Sequence, residues 1–231
     1  MHRRQFSSAL ALLAVALVAE RAQAQGLAGI SNIDASKGLK SALETGALTA
    51  IQLLGRENGF LGNPQVRIPL PGYLKDAARF LSALGQRKRI DDLEIAMNRA
   101  AESAVPLARQ LLVNAVKNMS VTDAKNILAG GDTSVTEFFA GKTRAPLAVS
   151  FLPVVRQATS KVALAEKYDR IASKAQGLGL VQAEDASIDQ YVTRKSLDGL
   201  YFMIGEEEKK IRRDPVATGS ALLQKVFGAL R

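Results

Sequence analysis

Apolar residues recur at helical spacing along nearly the whole chain, and no run of alternating β-branched residues competes with them. From Asp34 to Leu54 the side chains of Leu39, Leu43, Ala47, Ala50 and Leu54 share one face, and Gly55 and Gly59 close the helix. The next stretch breaks the pattern. Between Arg56 and Pro71, the prolines at 64, 69 and 71 force extended backbone, so NPQVRIPLP reads as the longest non-helical connection. A short helix over Tyr73–Leu84 follows.

The clearest helix spans Asp91–Asn118. Leu93, Met97, Ala100, Ala104, Leu107, Ala108, Leu111 and Ala115 cover one side; Asp91, Asn98, Glu102 and Arg109 form a narrow polar stripe on the other. Pro106 has no N–H for the Glu102 carbonyl and should kink the rod. Ser120 with Asp123, and Ser134 with Glu137, have the spacing of capping boxes that start two further helices across Gly130-Gly131. Thr143–Gln176 continues helically, bent at Pro146 and Pro153, to a stop at Gly177-Leu178-Gly179. From Ile188 to about Gly205 the helix is apolar around most of its circumference, which suits the middle of a bundle. It turns polar from Glu206 to Arg213, where Glu206–Lys210 and Glu208–Arg212 fall at favourable i,i+4 spacing, and it stops at Asp214-Pro215. A last amphipathic helix runs from about Ser220 to Leu230. The expected fold is all-α: one domain over residues 25–231, a bundle of seven to eight helices with the apolar helix near 188–205 at its centre.

Residues 1–24 have another character. Arg3 and Arg4, the unbroken apolar run ALALLAVALVA and the small residues of Ala22-Gln23-Ala24 form the three regions of a secretory signal in order. The run is too short to span a bilayer, and without cysteine no lipid anchor can be attached through one. The expected location is the periplasm, reached by general secretion or, given Arg3-Arg4-Gln5-Phe6, by the twin-arginine route. No transmembrane segment is expected in the remainder.

Composition narrows the chemistry. The 231 residues contain no Cys, and the single His, His2, lies in the signal. Removing the signal therefore leaves no Ser-His-Asp or Cys-His unit, and no zinc, copper or haem site built on imidazole or thiolate. G-x-S-x-G, the P-loop pattern and Ser-x-x-Lys are absent. Asp91-Asp92-x-Glu94 and Glu206-Glu207-Glu208 lack EF-hand spacing and read as solvated helix faces, so no metal and no cofactor are expected. A formal charge of +9 suits acidic partners or anionic surfaces. The basic residues are dispersed among acids and only 5% of residues are aromatic, which argues against nucleic acid.

Gly130-Gly131-Asp132-Thr133-Ser134 has the glycines of an anion cradle, but Asp132 opposes an anion, and a helix stop followed by a cap explains the segment better, without a ligand. Ala145–Val155 is apolar all round; it is a core element or one wall of a cavity for an acyl chain.

Taken together, GLKSAL at 38–43, GFLGNP at 59–64 with VRIPLP, MNRAAE at 97–102, GGDTSVTEFF at 130–139, YVTRKSLDGLYFMIGEEEKKIRRDP at 191–215 and Val226-Phe227-Gly228 resemble the exported bacterial family called domain of unknown function 4197. The resemblance implies a helical protein of Gram-negative envelopes and carries no activity, hence no catalytic residue. It marks Arg67, Asn98, Arg99, Glu102, Asp132, Thr143, Asp198, Glu207 and Arg212 as the polar positions within its motifs. Gly205 departs from the family pattern, where a better helix former is expected. The functional expectation is a non-catalytic binding or interaction protein that meets an envelope protein or anionic ligand through a polar groove. Two alternatives stand beside it: a carrier of a lipid or other hydrophobic ligand held between the Thr143–Gln176 and Ile188–Gly205 helices, and a carboxylate-dependent hydrolase using Glu102.

Overall fold

The computed structural model describes residues 32–72, 82–85, 87–131, 134–162, 165–166, 169 and 187–214. All regular structure among them is helical: α1 (Asn32–Leu54), α2 (Arg87–Ala104), a 3-10 turn (Val105–Leu107), α3 (Ala108–Lys117), α4 (Val121–Ala129), α5 (Ser134–Thr159) and α6 (Ile188–Arg213). The break in the Arg87–Lys117 rod falls at Pro106, as its missing N–H requires.

With that rod counted once, the described residues hold five helices rather than seven to eight. The expected helix at 220–230 and most of the one at 73–84 lie outside the described residues, as do most of residues 163–176 of the expected Thr143–Gln176 helix. The segments beginning at Ser134 and Thr143 are one helix, α5, which runs through both Pro146 and Pro153. Each proline leaves one carbonyl unpaired, at Lys142 and Val149, and both of those residues are exposed, so water can satisfy them. Ser134 is the first residue of α5, and its hydroxyl donates to the carbonyls of Ile127 and Gly131.

One continuous core joins the elements. α6 packs against α1, α2 and α5, and α5 also meets α2, α3 and α4. The inward face of α6 includes Val192, Leu197, Leu200, Tyr201 and Ile204. Gly205 sits where two helices come close. A Cβ there would lie 2.8 Å from Thr136 Oγ1, so the glycine lets α5 and α6 approach closely. The charged end of α6 pairs partly at i,i+3: Glu206 with Lys209 and Glu207 with Lys210, alongside Glu208 with Arg212 at i,i+4. No helix among the described residues is long and apolar enough to cross a membrane.

Candidate functional site

The polar stripe of α2 does not face water throughout. Asp91 and Arg109 are exposed, whereas Asn98 and Glu102 are buried, because the 55–71 connection lies across that face. Asn98 Oδ1 accepts from the Ile68 N–H and its Nδ2 donates to the Ile68 carbonyl, both at 2.9 Å, so one side chain makes the two-bond pairing a neighbouring strand would make. Nδ2 also donates to the Glu94 carbonyl. Glu102 Oε1 accepts from the N–H groups of Phe60 (3.0 Å) and Leu61 (3.1 Å), and Oε2 accepts from Arg99 at 2.6 Å. Arg99 reaches on to Glu57 and Asn58. Arg67 donates to Glu94, and the Tyr191 hydroxyl donates to the Pro69 carbonyl.

Backbone without secondary-structure partners must find them elsewhere, and these side chains supply them. The turn they hold is tight. Asn58 adopts a left-handed φ of 63°, and a Cβ on Gly59 would sit 2.3 Å from the Leu54 carbonyl oxygen. The clamp delivers Phe60 fully buried against α6, where a Cβ on Gly199 would come within 2.7 Å of its ring. Arg67, Asn98, Arg99 and Glu102 thus come together as fasteners of a loop, with Asn98 and Glu102 turned inward.

Thr143 and Asp198 belong to a second place. α5 and α6 run antiparallel, with Thr136 beside Gly205, Thr143 beside Tyr201 and Arg156 against Asp189. The Thr143 and Tyr201 hydroxyl oxygens lie 2.9 Å apart. Burial pushes the Tyr201 phenol above its ordinary range; the Thr143 hydroxyl and the Arg144 charge pull it partly back. Arg144 stacks over the Tyr201 ring and contacts Asp198 Oδ1 at 2.9 Å; Arg194 stacks over the Tyr191 ring and contacts Asp198 Oδ2 at 3.4 Å. Two guanidinium groups therefore share one carboxylate.

Beside this cluster an open groove of about 400 Å³ runs between the helices, walled by Ala148, Val149 and Leu152 of α5 and by Thr193 and Leu197 of α6, with Gln190 at one edge. Its size falls within the roughly 300–1,000 Å³ of small-molecule sites. Val149 is 76% exposed, so the all-round apolar stretch of α5 buries Leu147, Phe151 and Val155 and offers its other side outward. Thr193 is the unusual residue. It is buried, and its hydroxyl has no hydrogen-bond partner. The buried hydroxyls of Thr143, Thr159 and Ser196 all donate to the carbonyl four residues back, the ordinary solution inside a helix.

The other marked residues serve elsewhere. Glu207 pairs with Lys210, while Arg212 pairs with Glu208 and donates to the Ile127 carbonyl, fastening α6 to the end of α4. Asp132 and Thr133 lie outside the described residues. A second depression, about 510 Å³, lies beside Gly130 and Gly131 between α4 and α5. Asp123 and Glu137 line it along with Lys142, a balance that disfavours an anion. Ser120 donates its N–H and hydroxyl to Asp123, holding that carboxyl below its usual range and completing the expected capping box. No group of three acidic or imidazole side chains converges among the described residues.

The sequence reading passed over Thr193, Arg144, Arg194 and Val149. Their signal was weak: a Thr-Arg pair inside YVTRKS, and a valine in a stretch whose hydrophobicity has no single face. The model of the family described as "Protein of unknown function (DUF4197)" matches residues 29–228. The chain belongs to the DUF4197 family. No curated protein and no solved structure matches it. The GFLGNP and VRIPLP segments of the clamp and the YVTRKSLDG segment of the groove both fall inside the DUF4197 match.

Proposed function

We propose that this DUF4197 member is a non-catalytic binding protein of the cell envelope whose site is the groove between α5 and α6, occupied by an apolar ligand. The observation that carries the reading is the groove itself: open, apolar-walled, and bordered by a buried hydroxyl left unpaired. An unpaired buried hydroxyl costs about 1–3 kcal/mol, so helix packing alone gives no reason for it. Export rests on the signal pattern of residues 1–24, with 25–231 taken as one domain.

The expected partner surface around Asn98, Arg99 and Glu102 is less favoured, because Asn98 and Glu102 are spent on the backbone of residues 60–68. The same saturation weighs against hydrolysis. Glu102 is 4% exposed with both oxygens engaged, which suits a fastener better than a general acid.

The test uses the purified full chain, native mass spectrometry and titration with the fluorescent apolar probe N-phenylnaphthylamine. One saturable equivalent of probe should bind, and Val149→Glu should abolish it without changing the melting temperature. A protein that carries no adduct and takes up no probe overturns the reading.

A further inference from the structure

We infer that the α5–α6 groove selects a single-chain amphiphile with an anionic oxygen head, gripped by Arg144 and Arg194. The inference rests on the reading of the groove as the binding site and adds the chemical class of its occupant. From Arg144 to Leu152 the wall of α5 extends about 12 Å at the rise of an α-helix, the reach of a medium-length acyl chain. The two ends differ chemically. At one, Arg144 and Arg194 meet over Asp198; at the other, Gln190 is neutral.

A guanidinium carries five donors arranged to match a carboxylate or phosphate. Asp198 engages Arg144 at 2.9 Å but Arg194 only at 3.4 Å, longer than the roughly 2.7–2.9 Å of a good charge-assisted bond. The rings of Tyr201 and Tyr191 back the two guanidinium planes and limit where they can swing. Thr193, one residue from Arg194, lines the same wall, with its unpartnered hydroxyl buried out of solvent contact. An anionic head would thus meet two positioned cations, and its chain would cover Val149 and Leu152. A cationic head would meet repulsion from the same pair.

Isothermal titration of the delipidated full chain with decanoate, decanol and decyltrimethylammonium tests this. Decanoate should bind at least tenfold more tightly than decyltrimethylammonium. Arg144→Ala and Arg194→Ala should each weaken decanoate about tenfold while leaving decanol unchanged. Asp198→Asn, which removes the carboxylate that both guanidinium groups share, should tighten decanoate several-fold, a gain that a purely structural ion pair would not give. Equal affinity for all three probes, all abolished by Val149→Glu, would overturn the head-group inference and leave the groove reading standing. Absence of binding by any probe, or binding indifferent to Val149→Glu, would overturn both. Failure of decanoate to bind, together with a dimer that Val149→Glu splits in analytical ultracentrifugation, would give the groove to a second copy of the chain and overturn both as well.

Discussion

The clamp around Glu102 and the groove beside Thr193 are both built from polar residues on otherwise apolar helices, yet they differ in what those residues are for. At the clamp, side chains replace the partners that a proline-rich connection cannot find in secondary structure: Asn98 serves Ile68, and Glu102 serves Phe60 and Leu61. At the groove both flanking segments are helical, so the backbone satisfies itself except at the Val149 carbonyl that Pro153 leaves to water, and polar side chains are free of that duty. Thr193 has no partner, and one carboxylate serves two arginines. The polar residues of the clamp are saturated, whereas the groove keeps one buried hydroxyl without a partner.

The largest effect should come from emptying the clamp. Glu102→Ala strips the acceptor from two backbone N–H groups and leaves Arg99 without its buried partner, and should cost about 3–5 kcal/mol in urea unfolding. Glu102→Gln keeps one acceptor oxygen and should cost about half as much. Decanoate affinity should be unchanged in the glutamine variant. A Glu102→Ala protein within about 0.5 kcal/mol of the parent would erase the distinction between the two regions.

Next comes the contact that the clamp exists to make. Gly199→Ala would place a methyl group 2.7 Å from the Phe60 ring, and overpacking of that kind costs about 1–3 kcal/mol. Phe60→Leu in the same chain should recover part of the loss, giving a coupling of about 0.5 kcal/mol or more in a double-mutant cycle. Strict additivity would mean that the ring does not rest on α6.

How much of this was legible follows from the kinds of forces involved. Local rules were readable: α1 ends at Leu54 before Gly55, the rod breaks at Pro106, and Ser120 and Asp123 cap α4. Asn98 and Glu102 could be marked on a stripe, but their burial depends on a loop 30 to 42 residues earlier folding over them, a contact that periodicity does not encode. Leu107 shows the same limit in reverse. It lies on the apolar side of the wheel yet is 45% exposed, since the 3-10 turn rotates the rod at that point. Thr193 was invisible because its distinction is a missing bond, which only coordinates reveal.

On the groove side the corresponding substitution should have the opposite sign. Thr193→Val replaces an unpaired hydroxyl with a methyl of similar size and should stabilise the ligand-free protein by about 1 kcal/mol. For a chain of this length that is a rise of about 2–4 °C in Tm, readable by calorimetry. The same exchange at Thr143, whose hydroxyl meets both the Phe139 carbonyl and Tyr201, should destabilise. A destabilised Thr193→Val protein would show that the hydroxyl is paired in solution and would bring the groove into line with the clamp.

The smallest effect is the alkaline behaviour of Tyr201, which lies under Arg144 at the polar end of the groove. Burial raises its pKa above the ordinary value of 10.0, with the Thr143 hydroxyl and the Arg144 charge opposing the rise. A folded-state pKa above the unfolded one means that the fold favours the neutral phenol. That contribution is complete below pH 10 and is lost as pH rises through the folded value. Tyrosinate absorbance measured against Tyr201→Phe should show one phenol ionising late. Arg144→Ala removes an opposing cation, so the ionisation should move later still and the alkaline loss of stability should deepen. A titration that Arg144→Ala leaves in place would mean that the guanidinium does not rest on the ring, and the groove would lose one of the two positioned cations that its head-group reading requires.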